Sequence, residues 1–360
     1  MKIKQVPEDF VVEEIIDLHA EKKGDQTYFW LIKKNWTTEK AIREIAGRLY
    51  GFGGISYRRF KFAGNKDRVA VTRQAVSGFK VYPEYLRKLQ LKDIRLEIIG
   101  FGDTPISLGS LKGNRFTITI RDLTKKELAK IKKNIPGIKK GFRNYFGAQR
   151  FGLGNTHLIG KEIIRGYFEQ AVKVMLWHFK TSNDNNERKK FRTFAKKNWG
   201  KWDELLEKLP KELYLEKSVL QWLARNPTDF AGALRTLPKH IRKLYVHAYQ
   251  SWLWNSALRK VKSIKKAPVP GYDTKLGKDK FSKEILLLLK KDKLTLESFI
   301  CGRMPELAVK GEMRLALVKP KRLLLGKAEA DELNPKKLKL KLSFELPKGT
   351  YATTLIEELA

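Results

Sequence analysis

Lys337-Leu338-Lys339-Leu340-Lys341-Leu342-Ser343-Phe344-Glu345-Leu346 alternates apolar and polar side chains along its length. Successive side chains of a strand point to opposite faces, so this period marks a half-buried β-strand. One face carries Leu338, Leu340, Leu342, Phe344 and Leu346; the other is mostly lysine. A lysine-faced strand serves either as a sheet edge protected against aggregation or as a surface that meets phosphates. Arg115-Phe116-Thr117-Ile118-Thr119-Ile120-Arg121 alternates in the same way. Between the two the pattern changes. From Leu158 to Leu258 helical periodicity dominates, with Ile241, Leu244, Tyr245, Ala248 and Trp252 on one helical face. Polar loops such as Thr181-Ser182-Asn183-Asp184-Asn185-Asn186 interrupt it, and strand character returns only after Glu312. A mostly helical insert between β-rich segments makes the outer segments one discontinuous domain, so the expected class is mixed α/β (α+β). The insert is placed at residues 141–318, leaving 1–140 and 319–360 for the discontinuous domain.

The bulk properties agree with two domains. The chain has 360 residues, and single cores rarely grow past about 250–300 residues. With 42% hydrophobic and 11% aromatic residues it can fill real cores. The net charge is +36, from 75 Lys plus Arg against 39 Asp plus Glu. A polyanionic partner is the simplest use of such a field, and affinity for it should fall steeply with salt. No apolar run is long enough to span a bilayer; Leu286-Leu287-Leu288-Leu289 is short, flanked by lysines, and reads as a helix core face. The single cysteine, Cys301, supports neither a disulfide framework nor a thiolate zinc site. Met1-Lys2-Ile3-Lys4 begins the chain without the apolar stretch of a secretory signal, so a cytoplasmic location is expected. The histidines, His19, His157, His178, His240 and His247, show no metal spacing, and no metal is expected.

Phe62-Ala63-Gly64-Asn65-Lys66-Asp67-Arg68-Val69-Ala70-Val71-Thr72-Arg73-Gln74 places Asp67 between two cations, after an Ala-Gly turn and before an apolar run. Nearby positive charge offsets the cost of shielding a carboxylate, and an ionised, shielded Asp can act as nucleophile or general base. The alternative is a charged loop joining two strands. Upstream, Tyr28-Phe29-Trp30-Leu31-Ile32 reads as a strand with a turn at Lys34-Asn35. Thr37 or Thr38 then caps a helix with the face Ala41, Ile42, Ile45, Ala46 and Leu49, which Gly51, Gly53 and Gly54 stop. Asn65-Lys66-Asp67 is not a guanine-reading Asn-Lys-x-Asp, and the spacing from Gly271 to Gly277-Lys278 is one residue too long for a P-loop. A nucleotide-hydrolysing switch is therefore excluded.

The Asp67 segment resembles the signature of the TruD family of pseudouridine synthases, whose Gly-x-Lys-Asp-Arg/Lys segment carries the catalytic aspartate. The resemblance continues along the chain. Lys4-Gln5-Val6-Pro7-Glu8-Asp9-Phe10-Val11-Val12 is similar to the family's N-terminal segment, and Gly113-Asn114-Arg115-Phe116 to its Gly-Asn-x-Phe turn. Asn144-Tyr145-Phe146-Gly147-Ala148-Gln149-Arg150-Phe151-Gly152 resembles its longest signature. Ala248-Tyr249-Gln250-Ser251-Trp252-Leu253-Trp254-Asn255 resembles a helix of its inserted domain, and Leu346-Pro347-Lys348-Gly349-Thr350-Tyr351-Ala352-Thr353 its C-terminal motif.

What the resemblance implies is a discontinuous mixed-sheet catalytic domain interrupted by a mainly helical TRUD domain. It also implies tRNA as partner and conversion of a uridine, typically at position 13, to pseudouridine. The product has the atoms of the substrate, so neither a metal, a redox cofactor nor a nucleotide cofactor is expected; no protein partner or membrane is implied. Asp67 matches the catalytic carboxylate and Lys4 the basic residue beside it. Tyr351 matches the aromatic that stacks on the target base, with a hydroxyl where some relatives carry Phe. Phe10 and Asn114 match positions that contact the bound nucleotide.

Each of these residues also has an ordinary reading: core packing for Phe10 and Tyr351, and a hairpin turn for Gly113-Asn114. For the Asn144–Gly152 block a structural role near the cleft is favoured, with Arg150 as a phosphate contact. Tyr249, Trp252 and Trp254 are expected to pack helices. Two other classes compete. An RNA-binding module or chaperone would not need Lys4, Asp67, Asn114 and Tyr351 together. A glycoside-type hydrolase needs paired carboxylates and would release free uracil.

Overall fold

In the computed structural model, which describes residues 1–51, 54–178 and 186–360, the chain divides into two units, Met1–Phe142 with Val318–Ala360, and Arg143–Leu317. The first is built on a mixed sheet of eight described strands. In chain order these are β1 (Phe10–Ile15), β2 (Gln26–Lys34), β3 (Phe60–Phe62), β4 (Val71–Phe79), β5 (Ile94–Gly102), β6 (Gly113–Leu123), β7 (Lys321–Ala330) and β8 (Leu338–Pro347). Their spatial order is β7-β8-β6-β1-β4-β2-β5, with β3 also paired to β4. Only β1 and β4 run parallel; the other pairs are antiparallel.

β8 shows the expected alternation, with Leu340, Leu342, Phe344 and Leu346 buried. It is not an edge, however. It pairs with β6 on one side and β7 on the other, and β7 is the outer strand. The lysines of β8 therefore line the open face of an inner strand, and its backbone groups are already paired. Gly113-Asn114 likewise does not form a hairpin turn; it opens β6, opposite Pro347 and Leu346 of β8. A Cβ on Gly113 would lie 2.3 Å from the Leu346 carbonyl oxygen, so close strand approach requires the glycine here.

Directly opposed residues share a sheet face. By register, one face carries Phe344 and Leu346, Asn114 and Phe116, Val12 and Glu14, Thr72 and Gln74, and Leu31 and Lys33. At one end the helix Thr38–Leu49 covers it, burying Ala41, Ile42, Ile45, Ala46 and Leu49 against Phe29, Leu31 and Val76. Thr37 caps this helix by accepting the Lys40 N–H. Gly51 and Gly54 follow its end, and Gly53 lies outside the described residues. At the other end the helices Lys125–Lys140 and Ala352–Leu359 pack together over β6 and β8, tied by an Asn134 to Leu359 hydrogen bond of 3.1 Å. Strand β1 and the start of β4 lie between these covers.

The second unit is mainly helical. Its centre is the helix Lys239–Lys260, which packs on Thr156–Ile164 so closely that a Cβ on Gly160 would sit 1.9 Å from the Tyr245 carbonyl oxygen. The single-face expectation for this helix was too narrow. Leu244 is exposed, whereas Tyr245, Val246, Ala248, Tyr249, Leu253, Trp254 and Ala257 are buried, because neighbours surround its second half. Tyr249 and Trp254 are packing residues: Tyr249 donates to Asp292, and Trp254 meets Phe146 and Phe281 edge-on. Strand character also returns before Glu312, since Lys266–Val269 pairs antiparallel with Glu312–Leu315. Of the leucine run, Leu286 and Leu287 are exposed and Leu289 is buried on the helix Lys280–Lys291. A helix begins at Asn186; residues 181–185 of the expected polar loop lie outside the described residues. Among the described residues no helix is long and apolar enough to cross a membrane.

Candidate active site

The loop between β3 and β4 carries Asp67 to the rim of the face described above. Lys4 Nζ lies 2.5 Å from Asp67 Oδ2, and the same ammonium sits 4.0 Å from the centroid of the Phe10 ring. Lys4 adopts a left-handed backbone (φ +58°), unusual for a residue with a Cβ. The Asp67 side chain is 42% exposed. One carboxylate oxygen is thus held by a cation while the group as a whole stays open to a ligand. An ionised carboxylate with an accessible oxygen is the form required for attack on carbon or for proton removal.

Buried polar groups hold both members of this pair. Under the Lys4 segment, Asp9 accepts the N–H groups of Gln5 and Val6, each at 3.1 Å, closing the turn at Pro7–Asp9. Arg121 of β6 donates to Asp9 (2.7 Å), Asp331 (2.8 Å) and Glu332 (3.0 Å). Those partners, the hydrogen bond to Glu332 first, raise the Arg121 pKa against its burial. Burial pushes Asp331 up, but donors from Asp122, Asn334, Leu333 and Arg121 outweigh it and hold the carboxyl well below the usual range. Under the Asp67 loop, Lys66 Nζ lies 2.5 Å from Glu14 Oε2, and Gln74 Nε2 donates to the Gly64 carbonyl at 3.1 Å. Lys33 donates to the Asp67 carbonyl (3.1 Å) and the Trp36 carbonyl (2.6 Å). Lys33 is 1% exposed. Burial pushes its ammonium down to about 8, partly countered by Asp67 and reinforced by Lys66.

Of the other residues singled out from sequence, Phe10 and Asn114 lie in this unit on the same face as Glu14. Phe10 is 3% exposed and meets Phe116 edge-on at 6.0 Å. It is a core ring whose face carries Lys4. Asn114 stands opposite Glu14 on β1, and its Oδ1 is shielded without a hydrogen-bond partner among the described residues. A buried acceptor left open in this way suits a donor from a ligand. Tyr351 is half-buried and precedes the helix Ala352–Leu359, just past the positive-φ turn at Gly349. Arg150 belongs to the other unit, in a turn at Ala148–Phe151, its guanidinium 5.6 Å from the Phe146 ring centroid. In that unit Asn255 brackets Phe146, accepting its N–H at 2.8 Å and donating to its carbonyl at 2.9 Å. Arg314 donates to the side chain of Asn144 at 3.0 Å. The Asn144–Gly152 block is therefore built into the unit's core at its first residues.

Sequence reading passed over Glu14, Lys33, Asp9 and Arg121. For two of them a signal was present: Glu14 has the parity of Phe10 and Val12, and Lys33 that of Phe29 and Leu31, so both point inward. A charge at an inward strand position needs a partner. Among the described residues no group of three or more His, Cys, Asp or Glu side chains is placed to hold a metal. Cys301 is buried, and burial pushes its thiol up to about 12.

A family model described as tRNA pseudouridine synthase D (TruD) matches residues 1–266 and 259–359. A Methanocaldococcus jannaschii relative named "Probable tRNA pseudouridine synthase D 2" is 34% identical over 397 residues, covering 99% of this chain and 91% of its own. A relative from Aquifex aeolicus named "tRNA pseudouridine synthase D" is 32% identical, covering 100% of this chain and 98% of its own. A crystal structure from Methanosarcina mazei described as a "Putative tRNA pseudouridine synthase D (TruD)" superposes with a TM-score of 0.80 at 29% identity. The match covers 99% of this chain and 92% of that one.

Proposed function

The chain belongs to the TruD family of tRNA pseudouridine synthases, and from that premise we propose that it isomerises a uridine of tRNA with Asp67 as the catalytic carboxylate. The family makes it an isomerase. We assign Met1–Phe142 with Val318–Ala360 as the catalytic domain and Arg143–Leu317 as the inserted TRUD domain. The observation that carries the reading is the Lys4–Asp67 pair at 2.5 Å, with Asp67 left partly open.

The reaction breaks the C1′–N1 bond, turns the uracil while it is held, and forms a C1′–C5 bond. The proton leaves C5 and N1 gains one, so atoms and charge balance within the nucleotide. The target base must first leave its stack, which costs a few kcal/mol and least in a loop or distorted site. Asp67 either attacks C1′ or takes a proton from C2′; both need the charge that Lys4 balances. Tyr351 stacks on the extruded base, and its hydroxyl is within the chemistry needed for proton handling. Asn114, whose shielded Oδ1 has no hydrogen-bond partner among the described residues, serves as a contact to an N–H of the uracil edge or to a ribose hydroxyl. Phe10 acts as the floor beneath Lys4, and Arg150 serves as a phosphate contact. The substrate RNA is bound by a chain of net charge +36, acting in the cytoplasm.

The test is incubation of the protein with tRNA transcripts, followed by chemical labelling of pseudouridine at each position. Conversion of one uridine, with position 13 examined first and no free uracil released, is the expected result. Release of free uracil would show a hydrolase, and binding without conversion would show a chaperone.

A further inference from the structure

The Asn65-Lys66-Asp67-Arg68 run looks like a carboxylate flanked by two cations that serve it. The structure separates them. The Lys66 side chain is 7% exposed and turned down to Glu14, whose side chain is fully buried, while the adjacent Asp67 stays open and takes its cation from Lys4. Lys66 is therefore neither the charge partner of Asp67 nor a surface contact for phosphate.

Glu14 holds this lysine from the middle of the sheet. Its Oε2 meets Lys66 Nζ at 2.5 Å and its Oε1 accepts the Ala75 N–H of β4 at 3.3 Å. The Lys66 N–H donates to Thr38 Oγ1 at 2.9 Å, and that hydroxyl in turn donates to Gln74 Oε1 at 2.8 Å. The residue before Asp67 is thus gripped by side chain and backbone together, from β1 and from the first residue of the helix Thr38–Leu49. A buried ion pair is a weak source of stability, because desolvation consumes much of the attraction and an apolar pair of similar volume often folds as well. What the pair supplies in this place is geometry, since an irregular loop has no ladder of its own to fix its side chains.

We infer that Glu14 and Lys66 form a positioning clamp that sets the Asp67 carboxylate against the reacting ribose, acting on the rate of chemistry and not on RNA binding. The inference rests on Asp67 being the catalytic carboxylate. The experiment measures single-turnover conversion at saturating tRNA transcript, Kd for the same transcript, and the thermal midpoint. The double variant Glu14→Gln/Lys66→Met removes both charges, so no buried ion is left alone. It should fold with a midpoint near wild type and bind tRNA within threefold, yet convert about 100-fold more slowly, the scale of a misplaced reacting group. A rate within threefold of wild type would overturn the clamp. Should the double variant not fold, Thr38→Val removes the hydroxyl that accepts the Lys66 N–H and donates to Gln74, and leaves the Glu14–Lys66 ion pair in place. It should slow conversion about tenfold at unchanged Kd, and an unchanged rate overturns the inference equally. Asp67→Asn is run beside them. If it converts at the wild-type rate, the reading of Asp67 itself fails; if it is inert while the other variants are fast, only the clamp fails.

Discussion

The two halves of the Lys4–Asp67 pair are held by different kinds of buried charge. Beneath Lys4, Arg121 joins Asp9, Asp331 and Glu332, and the backbones of Lys2 and Arg121 exchange N–H···O bonds at 2.8 Å. A guanidinium keeps its charge at any pH a protein tolerates and offers several donors in a fixed fork. Beneath Asp67 the cations are lysines, Lys66 and Lys33, which are single points of charge, and Lys33 loses its proton near pH 8. The Lys4 side is therefore a fixed mount. The Asp67 side is one whose charge changes within the range where enzymes are assayed.

The largest expected effect breaks the fixed mount. Arg121→Met leaves Asp9 and Asp331 buried without their cation and should cost about 3–5 kcal/mol in a denaturant titration. A loss below about 1 kcal/mol would show that the backbone bridge and the Asp9 turn suffice.

The titrating side gives the next effect. The folded-state pKa of Lys33, about 8, lies below the ordinary lysine value, so between about pH 8 and 10.4 the unfolded chain binds the extra proton and stability rises with pH. Below pH 8 both states are protonated and the burial cost is fully present. The stability of wild type relative to Lys33→Met should therefore rise across that window, by on the order of 3 kcal/mol. A constant difference would show that Lys33 is not depressed and that the two mounts are alike.

Lys4→Met tests whether the fixed mount exists for the pair. It should slow conversion roughly 100-fold by removing the cation on Asp67 Oδ2, with the thermal midpoint and tRNA Kd little changed. A normal rate would assign that charge to another residue, Arg68 being the exposed candidate in the loop.

Much of the fold was legible because its signals are local. β8 and β6 show a period of two where one face is buried, and the helix Thr38–Leu49 shows its apolar face and its Thr37 cap. The place of β8 in the sheet was not, since the lysine face looks the same on an edge as on an inner strand with one open face. The strand Lys266–Val269 is four residues with a proline, too short for a period to declare itself. In the site, Lys4, Phe10, Asn114 and Tyr351 came from resemblance, Asp67 from its flanking charges as well, and the structure brings Lys4 to Asp67 and to Phe10. The supporting charges were half legible. Parity marks Glu14 and Lys33 as inward, but their partners lie 52 and 34 positions away and only the folded sheet supplies them.

The most direct test is single-turnover conversion of tRNA uridine by Asp67→Asn, with tRNA affinity measured on the same protein. Asparagine keeps the size of the side chain and removes its charge. Conversion should fall by at least about 10³-fold while Kd stays within a few-fold of wild type. A variant that converts uridine at close to the wild-type rate would contradict Asp67 as the catalytic carboxylate.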